Sequence, residues 1–380
     1  MSDRPWPTPQ SAYVHVPFCR HRCGYCNFSV LTGRDQAYAE SYLDALEREL
    51  RRLGEPRELD TLFIGGGTPT HLSPAWIESL LQLVGRWLRL RPGGEFSVEA
   101  NPSDIDAARL EVLAAAGVNR ISLGVQSFRA EKLRVLERDH SPRIATAAIE
   151  AAAAAIGNVS IDLIFAAPGE TVAEFAADLR TATSLPIDHL STYGLTFEKG
   201  TAFWSRLLSG QLDRLEEDTE LAMYRMAIDV ARAAGFEHYE VSNFAKPGRR
   251  CRHNLAYWEG RGWYAFGPGA ARFVGGRREV NHRSPTTYIR RLLAGEWAIA
   301  ECDAIDRETW ARERIAFGLR MIDGVDLERI AAETGVPVGE QFAKTIDRFC
   351  RDGFLTCEGN RLRLTDRGLV LSDAIVAEFL

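Results

Sequence analysis

Between Ala12 and Leu195 the chain alternates two hydrophobic patterns. Short β-branched or apolar runs at Ala12–Val16, Thr61–Ile64, Phe96–Ala100, Arg120–Val125, Val159–Phe165 and His189–Leu195 predict strands. Between them, apolar residues at helical spacing predict helices over Gln36–Leu53, Pro74–Leu90, Asp104–Ala116, Arg143–Ile156 and Thr171–Thr183. Two starts are legible: Ser73 caps a helix whose first turn opens on Pro74, and Ser103 precedes an acidic first turn. Strands alternating with helices of this length imply right-handed crossovers and a parallel sheet. Six such units predict an α/β fold of the open, partial (β/α)6 barrel kind, short of the eight of a closed barrel.

Beyond Leu195 the pattern changes. Asp213–Gly235 predicts one long helix closed by its glycine, with Met223 and Met226 as core filler. An aromatic- and glycine-rich stretch, Phe236–Phe273, follows, and Pro285–Ala300 predicts a linker helix and turn. After Ile305 come helices near Glu308–Met321, Leu327–Thr334 and Gly339–Asp352. A hairpin turning at Glu358-Gly359-Asn360 and a last helix complete the chain. That order predicts an α+β, winged-helix-like C-terminal domain. The division is a polar tail over 1–11, the partial barrel over 12–240, an extension and linker over 241–300, and the C-terminal domain over 301–380.

Composition narrows the class. A net charge of −6 argues against a general nucleic-acid field. The last domain mixes its charges without a basic stripe, which favours docking or a lid over DNA binding. No apolar run approaches the ~18 residues of a membrane span, and MSDRPWPTPQ has no apolar core of a signal peptide. Seven cysteines, odd in number and sparse, predict a reducing, cytoplasmic compartment and no disulfide scaffold.

The chemistry concentrates in Cys19, Cys23 and Cys26, a CX3CX2C triplet directly after the first strand. Thiolates select zinc or iron–sulfur centres. A structural zinc site takes four ligands, usually as two pairs, and no second CxxC or HxxxH follows. A [4Fe–4S] cluster normally takes four cysteines, so three leave one iron open to a small chelating molecule. In parallel barrels chemistry gathers at the C-terminal strand ends. There the chain places the cysteine loop, Gly65-Gly66-Gly67-Thr68-Pro69, Glu99 with Asn101, Gln126 with Ser127, Asp162, and Tyr193-Gly194.

CX3CX2C with Tyr25 before its last cysteine resembles the radical-SAM superfamily. YVHVPFCRHRCGYCNF is similar to the oxygen-independent coproporphyrinogen III oxidase group and its haem-chaperone branch, the HemW type. The resemblance, over roughly residues 12–380, implies a [4Fe–4S] cluster on Cys19, Cys23 and Cys26. It also implies S-adenosylmethionine contacts from Tyr13, Tyr25, Gly66, Gly67, Thr68, Glu99, Gln126, Arg138 and Asp162, and an adenosine contact near Gly267-Pro268-Gly269-Ala270. His253-Asn254-Leu255-Ala256-Tyr257-Trp258 is similar to the HNxxYW signature associated with haem binding in that branch. His253 is then the candidate axial ligand, with aromatic faces at Tyr257 and Trp258 and propionate partners among Arg249, Arg250 and Arg252. The alternative is that HNxxYW packs against the barrel rim and shapes the pocket. Cys251 is either a haem thiolate or a bystander.

Three functions follow from this resemblance: a haem chaperone with no catalytic residues that hands haem to an apoprotein, an oxygen-independent coproporphyrinogen III oxidase, or another radical-SAM enzyme. A zinc-dependent DNA regulator ranks behind them. The oxidase has a fourth cysteine where this chain has Phe28, and a long extension where only twelve residues precede Tyr13, so the chaperone is preferred. Asn27 stands where the branch usually shows aspartate. The acceptor, a respiratory protein among the candidates, would provide any peripheral membrane contact; the oligomeric state stays open.

Overall fold

A computed structural model describes residues 5–33 and 35–380. Six parallel strands, hydrogen-bonded in chain order, form its centre. They are β1 (Ser11–Val16), β2 (Arg57–Gly66), β3 (Leu88–Ala100), β4 (Arg120–Gln126), β5 (Val159–Phe165) and β6 (His189–Gly194). The crossovers are α1 (Asp35–Leu50), α2 (Pro74–Trp87), α3 (Ala107–Ala115), α4 (Pro142–Ala155) and α5 (Val172–Ser184), with the long α6 (Glu217–Ala233) after β6. Buried residues of these strands and helices make one continuous core. The open α/β barrel expected from the repeats is therefore present.

Helix starts follow side-chain capping. Ser73 accepts from the Trp76 amide, Ser141 from Ile144, and Thr171 forms a reciprocal capping box with Glu174. Of the boundaries that differ from expectation, two have a clear local cause. The helix assigned from Asp104 begins at Ala107, because Asp106 caps it through the Arg109 amide at 2.8 Å. Asp104 is instead buried and paired with Arg20 at 3.1 Å. Likewise α2 stops at Trp87: Leu88–Leu90 leave the helix to pair with Arg57–Leu59 of β2.

The extension is woven into the main sheet. β7 (Glu237–Glu240) and β8 (Asn243–Ala245) form a hairpin whose β8 arm pairs antiparallel with β6, and β9 (Tyr264–Phe266) pairs in parallel with β1. Between these edges lies the short helix α7 (Arg252–Trp258), which carries HNxxYW. Next, β10 (Ala271–Val274), β11 (Arg277–Asn281) and β12 (Ile299–Ala304) make a three-stranded antiparallel sheet interrupted by α8 (Pro285–Leu293). The buried Glu49 of α1 ties this region down, accepting from Gly267 N (2.9 Å), Asn281 Nδ2 (2.7 Å) and Tyr288 OH (2.6 Å).

The C-terminal domain has its own core. It contains α9 (Arg307–Gly318), α10 (Leu327–Thr334), α11 (Ala343–Arg351) and a sheet of β13 (Val325–Asp326), β14 (Leu355–Glu358) and β15 (Arg361–Leu364). It is continuous with the barrel through backbone bonds Val241 N→Arg320 O and Ile322 N→Tyr239 O, both 3.0 Å. Trp6 of the N-terminal stretch packs against Trp310, ring centroids 4.9 Å apart, so part of the expected tail is a joint between the domains. No helix among the described residues is long and apolar enough to cross a membrane.

Candidate cofactor site

The C-terminal ends of the barrel strands open into a cavity of about 980 Å³. Cys19, Cys23, Cys26, Tyr13, Tyr25, Gly66, Gly67, Thr68, Glu99, Gln126, Arg138, Asp162 and His253 all line it, as do Asn101, Tyr257 and Trp263. Residues from seven separate stretches thus reach one space, as strand-end placement in a parallel sheet requires.

The cysteine loop is held from outside by the residues between its thiols. Arg20 pairs with Asp104 and Asp139 at 3.1 and 3.5 Å, and His21 Nε2 donates to Glu137 O at 2.6 Å. Arg22 Nε donates to Cys26 O at 3.2 Å. Gly24 lies flat against the Phe203 ring, whose own amide donates to Gly24 O at 2.8 Å. Inside, Thr68 Oγ1 is 3.6 Å from Cys19 Sγ and Arg138 Nη1 is 3.5 Å from Cys23 Sγ. Burial pushes the Cys19 thiol up to about 12 and raises Cys26 as well; a bound cationic centre reverses that, since coordination takes the thiolate. Among the described residues no three His, Cys, Asp or Glu side chains sit close enough for a single ion. Three thiols on one loop facing a larger cavity fit a polynuclear soft centre instead.

The glycine loop is built for close approach, first of all to its own chain. Gly66 has φ 110°, and a Cβ there would lie 2.4 Å from the His15 ring; at Gly67 it would lie 2.6 Å from Phe18 O. The amides of Gly66, Gly67 and Thr68 donate to Glu99 Oε2 (2.8 Å), Val16 O (2.8 Å) and Phe18 O (2.7 Å). What the loop can offer a ligand is carbonyl oxygen, an acceptor for an ammonium group. Tyr13 OH is 3.1 Å from His15 Nδ1, and His15 Nε2 lies 2.8 Å from Ser29 O. A carbonyl only accepts, so Nε2 carries the proton and Tyr13 donates to Nδ1.

Among the described residues, two buried polar atoms facing this space have no partner: Gln126 Oε1 and Arg138 Nε. Gln126 has φ 65°, an uncommon conformation for a residue with a side chain. The Arg138 guanidinium is already partly engaged. Its Nη2 is committed to Gly124 O (2.8 Å) and Asn101 Oδ1 (3.1 Å), leaving Nε free to donate. An acceptor and a donor left open in a buried pocket suit a ligand carrying amino and carboxylate groups. Burial raises Asp162, which also bonds Ser191. Burial likewise pushes Glu99 up to about 7, with Asp162 adding to the rise and the Gly66 amide opposing it.

His253 is buried below the rim. Its Nδ1 is 2.9 Å from Thr61 Oγ1 and its Nε2 is 3.0 Å from Tyr257 OH; burial pushes it down to about 3. Both ring nitrogens are engaged, so an iron ligated here would displace Thr61 or Tyr257. Trp258, on the same helix, faces the C-terminal domain, with the Arg320 guanidinium 4.7 Å from its ring. Cys251 is fully buried beside Glu95, which also accepts the Arg252 and His253 amides.

Residues 13–182 match the Radical SAM superfamily, and residues 305–371 match the HemN C-terminal domain. Over 98% of this chain and 99% of its own, a protein of Bacillus subtilis (strain 168) named Heme chaperone HemW is 35% identical. This chain belongs to the HemW family of radical-SAM proteins. Other relatives include the Heme chaperone HemW of Mycobacterium tuberculosis (strain ATCC 25618 / H37Rv), 36% identical over 98% of this chain and 95% of that one. A mitochondrial radical S-adenosyl methionine domain-containing protein 1 of Danio rerio is 33% identical over 97% and 86%. Among solved structures, the coproporphyrinogen III oxidase (HemN) of Escherichia coli, a Radical SAM enzyme, aligns with TM-score 0.86 at 25% identity, covering 98% of this chain and 90% of that one.

Sequence reasoning passed over part of this family member's site. His15, which fixes Tyr13, alternates in a strand pattern that gives no hint of its partner. Arg20 and His21 lie in the motif, but their partners are more than a hundred residues away in the case of Glu137 and 84 in the case of Asp104.

Glu99 makes the pocket pH-sensitive. Its folded value lies above its ordinary 4.5, so the folded state holds the proton more tightly. Stability from this group is full below about 4.5 and is lost as pH rises through 7, by up to about 3 kcal/mol at ~1.4 kcal/mol per unit. In protein free of S-adenosylmethionine, Glu99→Gln is expected to flatten the fall in unfolding free energy between those pH values. A variant whose pH profile runs parallel to wild type would exclude this role.

Proposed function

We propose that this chain is a haem chaperone that binds haem, carries a [4Fe–4S] cluster with S-adenosylmethionine, and passes haem to an apoprotein. The observation carrying the reading is full-length similarity to proteins named Heme chaperone HemW, together with a strand-end cavity lined by the three cysteines, the residues expected to meet S-adenosylmethionine, and His253. Cys19, Cys23 and Cys26 would hold the cluster. Glu99, the glycine-loop carbonyls, Gln126, Arg138 and Asp162 would hold S-adenosylmethionine by its amino, carboxylate and ribose groups. The cluster, when bound, supplies a one-electron redox centre with an open iron. The chain's own part is to bury and orient: Arg138 places a fixed positive charge beside Cys23, Tyr13 is fixed by the neutral His15, and the cavity walls limit water. The haem acceptor, a respiratory apoprotein among the candidates, would supply any membrane contact.

Haemin titration tests this reading. Wild type should develop a shifted Soret band, and His253→Ala should weaken it if the histidine ligates iron. An unchanged band with a lowered unfolding midpoint assigns His253 to packing, the role its two engaged nitrogens favour. The similarity to the E. coli oxidase supports a second reading, oxidation of coproporphyrinogen. Phe28, where the resembling oxidase group has a fourth cysteine, argues against it, and turnover with S-adenosylmethionine and a reductant is expected to be undetectable. Robust formation of protoporphyrinogen would reverse the order of the two.

A further inference from the structure

We propose that haem lies across the mouth of the cavity, its ring against an apolar wall of Phe28, Val30, Ala271 and Val280 and its propionates on Arg22 and Arg283. The inference rests on the haem-binding reading above and locates the ligand. Cavity residues divide into a deep polar set around the cysteines and an outer wall with little polarity. All four wall residues line the cavity, and none is fully buried. Phe28 is 61% exposed, more than any other aromatic side chain among the described residues. An exposed phenylalanine at the lip of an apolar wall is what a flat hydrophobic ligand covers.

Charge selects the ligand class. Arg22 and Arg283 bond Cys26 and Asn27, the two residues before Phe28, and are both exposed. Each is steadied by the cysteine loop: Arg22 Nε on Cys26 O at 3.2 Å, Arg283 Nη2 on Asn27 O at 2.5 Å and on Asn27 Oδ1 at 3.1 Å. Among the described residues neither meets a carboxylate within ion-pair distance, whereas neighbouring Arg20 pairs with two. Two preorganised guanidinium groups without counter-charges, set about an aromatic face, complement a planar macrocycle bearing two carboxylates. S-adenosylmethionine, with one carboxylate and a sulfonium charge, matches the deep set instead.

The test titrates haemin, and separately haemin dimethyl ester, into the cluster-containing full chain under anaerobic conditions, following the Soret band. Arg22→Gln and Arg283→Gln keep a donor for the loop carbonyls and remove the charge. Each is expected to weaken haemin three- to fivefold, and the pair about tenfold. Phe28→Ala is expected to weaken it about tenfold. The ester should bind wild type and the double variant alike, and iron content should match wild type throughout. Haemin affinities within twofold of wild type for the double variant and Phe28→Ala would overturn the placement while leaving haem binding intact. A wild-type chain with no Soret shift would instead withdraw the haem reading itself.

Discussion

Cys23→Ser protein, reconstituted anaerobically with iron and sulfide, is expected to hold fewer than one iron per chain where wild type holds about four. Two remaining thiolates cannot retain a cube that needs three protein ligands. The serine is nearly isosteric; the Arg20–Asp104 anchor does not involve the sulfur, and a hydroxyl can still meet His21 Nε2 and Glu137 O, each 3.6 Å from the thiol. Loss of iron therefore reports coordination and not unfolding. Cys251→Ser is the control: that thiol is also buried but sits against Glu95 and Arg120, away from the cysteine loop. Iron retained in Cys23→Ser, or lost to the same degree in Cys251→Ser, would remove the basis of the cofactor assignment.

The largest effect on stability is expected at Lys132. It is buried in the short helix Ala130–Val135, with Nζ 2.5 Å from Glu170 and 3.2 Å from Asp178, both buried. Asp178 accepts from Ser127 Oγ at 2.6 Å and the Phe128 amide at 2.8 Å; Glu170 accepts from the Ala167 amide at 3.1 Å. Those bonds pin the residues following Gln126 (φ 65°) and Ala166 (φ 60°), two residues with side chains in the left-handed region. Lys132→Met strands two carboxylates in the interior, at about 3–5 kcal/mol. The two turns, each storing ~1–3 kcal/mol, should then relax. Denaturant unfolding measures the first effect and S-adenosylmethionine affinity at full iron content the second. A loss under about 1 kcal/mol with unchanged affinity would show that neither turn depends on the lysine.

How far the sequence could be read follows from how local each cause is. The barrel strands were legible because strands covered on both faces need continuous apolar runs, as in Val159–Phe165, where only Asp162 breaks the burial. Topology then carried the rim residues to one place without any knowledge of their contacts. β9 was not legible: three residues of Tyr-Ala-Phe become a strand only because β1 offers an open edge. Leu88–Leu90 were misassigned because their alternation continues a helix's apolar spacing until β2 competes for them. Lys132, one of four lysines in the chain, looks like a solvated helix residue until folding brings in partners 38 and 46 positions away.

The seven-residue helix α7 is clamped from both sides. His253 and Tyr257 face the cavity, while Glu259 O and Gly260 O just past its end receive Arg314 Nε at 3.0 Å and Trp310 Nε1 at 2.6 Å from α9. A rod that short cannot bend to absorb a push at one end. Whatever displaces the His253–Tyr257 pair must tug on the C-terminal domain, so occupancy of the barrel should register as altered amide exchange along α9, far from any bound molecule.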